Sequence, residues 1–155
     1  MRNLIIYISL FCAISMAFSS CLEAGLEELP SFEEADINNF RFEYRWINAE
    51  GNYPQLNVEG IDTKLSIDVE AGTMACVLTV PAANQDFPEA IRNQVSLTSL
   101  AGFADISTAA TIRPIEGSPK LGEIADFSAG PYQYEITAAN GSKKIWTLEI
   151  TSFTK

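Results

Sequence analysis

Tyr132-Gln-Tyr-Glu-Ile-Thr-Ala-Ala-Asn140-Gly141-Ser-Lys-Lys-Ile-Trp146-Thr-Leu-Glu-Ile-Thr151 places two alternating runs on either side of Asn-Gly. In the first run Tyr132, Tyr134, Ile136 and Ala138 share one face, and in the second Trp146, Leu148 and Ile150 do. A period of two belongs to a strand with one buried side, and Asn-Gly is the dipeptide that most readily supplies the positive φ of a tight hairpin turn. The stretch therefore predicts a closing β-hairpin, with Trp146 in the core.

The same period recurs upstream. Phe40, Phe42, Tyr44 and Trp46 alternate with Arg41, Glu43 and Arg45, which gives one apolar and one charged face. Shorter runs follow at Leu65 to Val69, at Val95 and Leu97, at Ala104 and Ile106, and at Thr111 to Arg113. Met74 to Val80 is apolar on both faces and predicts a central strand. Turn signals separate these runs at Gly51-Asn-Tyr-Pro54, Glu59-Gly60, Ala71-Gly72, Glu116 to Pro119 and Gly130-Pro131. Helix is confined to Phe87–Gln94, where Pro88 suits a first helical position. Seven or eight strands at this spacing predict an all-β, antiparallel β-sandwich over residues 37–155.

Ahead of the strands the composition changes twice. Met1-Arg2-Asn3 carries one positive charge, Leu4–Phe18 carries none, and small Ser19 and Ser20 precede Cys21. This is the layout of an export signal over residues 1–20, too short at its apolar centre for the roughly 20 residues that span a bilayer. Residues 21–36 then hold Glu23, Glu27, Glu28, Glu33, Glu34 and Asp36 without a basic residue, and read as a solvated acidic tether.

Phe18-Ser19-Ser20-Cys21 resembles the lipobox of bacterial lipoproteins. The resemblance implies that the leader is removed and that Cys21 carries the lipid, palmitate included, as the new amino terminus. Ordinary secretion with Cys21 as a spare thiol is the alternative. Glu23, Glu27 and Glu28 are similar to the acidic residues that follow the lipidated cysteine in surface-exposed lipoproteins of Bacteroidetes-type bacteria. That likeness implies an outer-membrane anchor facing the cell exterior.

Without the leader, 9 basic residues face 20 acidic ones, a balance that repels nucleic acid and anionic headgroups. Of three cysteines, Cys12 leaves with the leader and Cys21 is taken by lipid. Cys76, in the apolar Met74-Ala-Cys-Val-Leu78, then has no partner for a disulfide and reads as a small core residue.

The chain contains no histidine, so no Ser/His/Asp relay, Cys/His pair or imidazole metal site can be built. Neither a nucleophile elbow nor a phosphate-binding loop occurs. Glu59 and Asp62 offer oxygens but no alternating Asp/Asn calcium loop. We expect no catalytic residue, metal or cofactor. For binding, the candidates are aromatics beside turns: Tyr53 next to Pro54, Phe87 next to Pro88, Tyr132 next to Pro131, and Trp46 at the end of its strand.

The segment Ala104 to Ile150, with Ala110-Thr-Ile-Arg-Pro114, Asp126-Phe-Ser128 and the closing Tyr134-Glu-Ile-Thr-Ala-Ala-Asn-Gly-Ser142 hairpin, is similar to the end of an immunoglobulin-like domain of Bacteroidetes outer-membrane lipoproteins. Ile37 to Phe42 resembles the first strand of that domain. The resemblance implies an immunoglobulin-like sandwich and carries no catalytic residue. It further implies a non-enzymatic accessory subunit of a nutrient importer of the starch-utilisation-system type, beside a TonB-dependent barrel and its substrate-binding lipoprotein, taking up oligosaccharides or peptides. A stand-alone glycan-binding module and a structural spacer domain are the alternatives.

Overall fold

The computed structural model describes residues 32–49 and 53–155. Cys21, the leader and residues 21–31 of the acidic segment lie outside the described residues. Eight strands form one continuous sheet: β1 (Ile37–Asn48), β2 (Gln55–Asp68), β3 (Thr73–Thr79), β4 (Leu100–Ile106), β5 (Thr111–Ile115), β6 (Ile124–Ala125), β7 (Tyr132–Thr137) and β8 (Lys143–Thr154). Their spatial order is β5-β7-β8-β3-β2-β1-β4-β6.

The sheet curls on itself because β2 serves both halves. Its first part, Gln55 to Ile61, pairs with β1, and its second part, Asp62 to Asp68, pairs with β3. The β1 and β7 faces meet across the interior, where the rings of Phe40 and Tyr134 lie 5.9 Å apart. All-β is the class expected from the periodicity. The architecture is a curled mixed sheet with a shared strand, in place of the separate antiparallel layers of an immunoglobulin sandwich. Among the described strands the one parallel pairing joins β3 to β8, with Met74 opposite Leu148 and Cys76 opposite Ile150. Four intervening strands carry the chain away from β3 before it returns, the long crossover that parallel neighbours require.

Local chemistry explains the elements. Phe40, Phe42 and Tyr44 of β1 are buried, and the intervening Arg41 is exposed. β3 is central as expected, and Met74, Cys76 and Leu78 are buried. Trp146 is fully buried, and its indole N–H donates to the Ala35 carbonyl at 2.9 Å. In the β7–β8 turn only Gly141 has positive φ, 86°. The Ser142 amide donates to the Asn140 side chain at 2.8 Å, and the Gly141 amide to the Ala138 carbonyl at 2.9 Å. Residues 139–141 thus form a three-residue connection closed by a left-handed glycine, where the Asn-Gly dipeptide predicted two left-handed residues.

Three local readings change. Glu59-Gly60 is no turn: Gly60 lies within β2 opposite Glu43. Val95 and Leu97 form no strand; Leu97–Ser99 is a single 3-10 turn. The predicted helix contracts to α1 (Glu89–Arg92), with Pro88 as its N-cap.

Residues 32–36, expected as the end of a solvated tether, are docked. The Phe32 carbonyl accepts from the Asn140 amide at 3.2 Å, the Glu33 carbonyl from the Ser142 hydroxyl at 3.2 Å, and Lys144 Nζ meets Asp36 Oδ1 at 2.6 Å. The Asp36 amide also donates to the Ser107 hydroxyl and its carbonyl accepts from the Ser107 amide, both at 3.0 Å. The chain enters the body at the closing hairpin.

Candidate functional site

At the far end of β1 the sheet thins to a two-stranded arm. β4 pairs with β1 only as far as Glu43, whereas β2 follows β1 to Asn48. Beyond Glu43, therefore, β1 and the facing part of β2 have no third strand beside them among the described pairings.

The pleat gives the arm two unlike faces. Trp46 opposite Asn57 and Asn48 opposite Gln55 continue the inward face that begins with Phe42 and Tyr44. Ile47 opposite Leu56 and Arg45 opposite Val58 point the other way, and Ile47, Leu56 and Val58 are exposed. The inward face of the arm and the segment 85–91 enclose a groove of about 640 Å³. Trp46, Asn48, Gln55 and Asn57 line it from the arm's inward face, and Ile47, between Trp46 and Asn48 in the strand, borders it as well. Gln85, Asp86, Pro88, Ala90 and Ile91 line it from the opposite wall.

Trp46 is held from behind. Its ring stacks on Tyr44, with centroids 6.0 Å apart and planes 20° apart, and meets Phe87 at 5.7 Å. Phe87 is itself fully buried and so anchors the facing wall. The Asn84 side-chain oxygen accepts from the Asp86 amide at 2.8 Å and the Phe87 amide at 2.9 Å, while the Asn84 amide donates to the Phe87 carbonyl at 3.0 Å. Arg92 Nε fixes the far side of this wall on the Pro81 carbonyl at 2.8 Å. Gln85 and Asp86 thus project from a braced turn.

The four candidate aromatics separate. Trp46 lines the groove and is partly exposed. Tyr53 is 80% exposed at the tip of the arm, outside the groove lining. Phe87 and Tyr132 are buried, so neither offers a ring face to a ligand. Phe87 leaves its loop because the core beneath Trp46 accepts it. Tyr132 packs edge-on against Phe127 at 5.5 Å and its hydroxyl accepts from the Ala129 amide at 2.8 Å. Burial also raises its phenol above the usual range.

The amides Asn48, Gln55, Asn57 and Gln85 were missed in the sequence, because isolated polar residues beside turns carry no periodic signal. The register Trp46–Asn57 and Asn48–Gln55 is what assembles them.

Titratable groups elsewhere are structural. Cys76 is buried and burial pushes its thiol up to about 11. Glu135 lies opposite Arg113 on the outer face and is held below the usual carboxylate range, first by its bond to Arg113 at 2.8 Å and then by Lys143. Among the described residues no cluster of three or more His, Cys, Asp or Glu is placed to hold a metal ion. No helix of the described residues is long and apolar enough to cross a membrane.

The family described as DUF5018-related matches residues 37–149. The fold is similar to the crystal structure of a candidate secreted protein from Bacteroides fragilis, with a TM-score of 0.73 and 36% sequence identity. That similarity covers 81% of this chain and 100% of the other. No curated protein matches the chain.

Proposed function

The chain belongs to the DUF5018-related family, and from that membership and the geometry above we propose that it is a non-enzymatic, lipid-anchored lipoprotein of the outer membrane facing the cell exterior. Its role is that of an accessory subunit of a TonB-dependent nutrient importer, which it serves by binding oligosaccharides or peptides. The observation that carries the reading is the polarity of the body. Phe32, Glu33 and Ala35 are bonded to the closing hairpin and Trp146, whereas the groove lies at the other end of β1. Eleven residues of extended chain separate Ala35 from Trp46, roughly 35 Å at about 3.3 Å per residue. The described chain therefore leads into the body at the end opposite the groove. Likeness to a Bacteroides fragilis protein described as a candidate secreted protein supports an extracytoplasmic location. The absence of histidine supports a role in contact instead of bond-making.

The test is recovery of the full chain from outer membranes in mild detergent. The reading expects palmitate on the chain, its loss in Cys21→Ser, and a TonB-dependent barrel in the recovered complex. Recovery as a lone monomer overturns the importer role, and an unacylated chain in the culture fluid overturns the anchor.

A further inference from the structure

We propose that the groove under the arm is a saccharide subsite for a short stretch of a neutral oligosaccharide, with Trp46 as its platform and Gln55, Asn57 and Gln85 as its hydroxyl readers. The inference rests on the reading above only in that the chain works by binding; neither the anchor nor the barrel is required for it.

Trp46 supplies the apolar half of the recognition. A pyranose ring presents axial C–H groups on one side, and a large aromatic plane covers them with little loss of conformational freedom, because an indole has only two side-chain torsions. Here even those torsions are restrained, since Tyr44 and Phe87 support the ring from within the fold. Such preorganisation lowers the ordering cost of binding.

The amides supply the polar half. A sugar hydroxyl both donates and accepts, and a carboxamide is the neutral side chain that does both through separate atoms. Gln55, Asn57 and Gln85 line the groove, and none makes a side-chain hydrogen bond among the described residues. They stand on two walls, Gln55 and Asn57 on the arm and Gln85 on the turn braced by Asn84. The one carboxylate in the lining, Asp86, accepts from hydroxyls as well, and no cation lines the groove to favour an anionic ligand. A volume of about 640 Å³ falls in the range of roughly 300–1,000 Å³ common to small-ligand sites.

Two smaller cavities lack this combination. One of about 300 Å³ beside Pro114 and Leu121 has Lys120 and Glu123 on its rim and no aromatic ring. Another of about 270 Å³ over Ala75 and Thr147 also has none. The lining sets four carboxamides beside one indole and the aliphatic Ile47, Pro88, Ala90 and Ile91; a peptide would instead use the edge of β1 beyond Glu43, which β4 does not pair, and the titration below distinguishes the two.

The experiment titrates the full chain, purified in mild detergent or from whichever fraction holds it, with a panel of neutral α- and β-linked hexasaccharides and with an unstructured decapeptide mixture. At least one hexasaccharide is expected to bind saturably. Trp46→Ala weakens it by about tenfold or more, the scale of an aromatic anchor. Asn57→Ala and Gln85→Ala weaken it by a few-fold each, and Tyr53→Ala leaves it unchanged. Thermal melts establish that each variant is folded, and Gln85→Ala, on an exposed turn, keeps the test open if Trp46→Ala does not fold. No binding by any hexasaccharide at millimolar concentration, binding indifferent to Trp46 and Gln85, or peptide binding in place of saccharide overturns the proposal. Failure here leaves acylation and barrel recovery unaffected, so it is distinguishable from failure of the anchored-accessory reading.

Discussion

The two tryptophans sit in opposite kinds of surroundings. Trp146 is fully buried, shares a strand pair with Tyr134 on one side, and closes its only polar group on Ala35. Trp46 ends the same inward face of the sheet, but in an arm with no third strand and beside an open groove. Both are inward-facing residues of alternating strands. What separates them is the number of layers around them: where the sheet curls over itself an inward tryptophan is core, and where one half runs past the other it lines an open groove.

The comparison is broken most severely at the closed end. Trp146→Ala removes a fully buried ring and leaves the Ala35 carbonyl without its donor. It should cost about 3–5 kcal/mol, read as a large drop in the denaturant midpoint. Trp46→Ala should cost less, about 1–2 kcal/mol, because part of the ring already faces solvent. Equal losses at the two sites would mean that the arm is as much a part of the core as the hairpin.

Cys76 sharpens the account of the closed end. Its thiol is raised from 9.0 to about 11 by burial. The folded state therefore holds this proton more tightly than the unfolded one, and the stability it contributes is fully present below pH 9 and is lost as pH rises toward 11. Thiol reagents should fail to label Cys76 in the native chain at neutral pH and label it at once in denaturant. Rapid labelling of the native chain at Cys76 would contradict the packing around β3.

Smaller still is the effect of Glu135. Its carboxylate is held below the usual range by Arg113 and Lys143, so its contribution is present above the ordinary glutamate range and disappears as pH falls through its folded value. Glu135→Gln should flatten the acid limb of the stability profile and leave neutral pH nearly unchanged, measured by urea unfolding across pH 3–7 (about the window set by ordinary carboxylate values). The pair is on an exposed face, where such bridges contribute little.

Much of the closed end was legible in the sequence. The alternation of Phe40, Phe42 and Tyr44, the doubly apolar Met74–Val80 run and the final hairpin name most of the core, and each is a local pattern. The arm was not legible, because Gln55-Leu-Asn-Val-Glu-Gly60 lacks a clean buried face and ends in a dipeptide that reads as a turn. Its strand is defined by pairing with β1, which is long-range information. Phe87 and Tyr132 misled for a related reason: a Pro beside an aromatic marks a loop, but the loop's ring was free to turn inward. The parallel β3–β8 pairing has no local signature at all.

The most direct test follows the two indole N–H signals in a proton–nitrogen spectrum while a neutral hexasaccharide that binds the chain is added. The account predicts that the Trp46 signal shifts saturably while that of Trp146, bonded to Ala35, stays in place. A Trp46 signal unmoved at saturation, or a shift confined to Trp146, would contradict it.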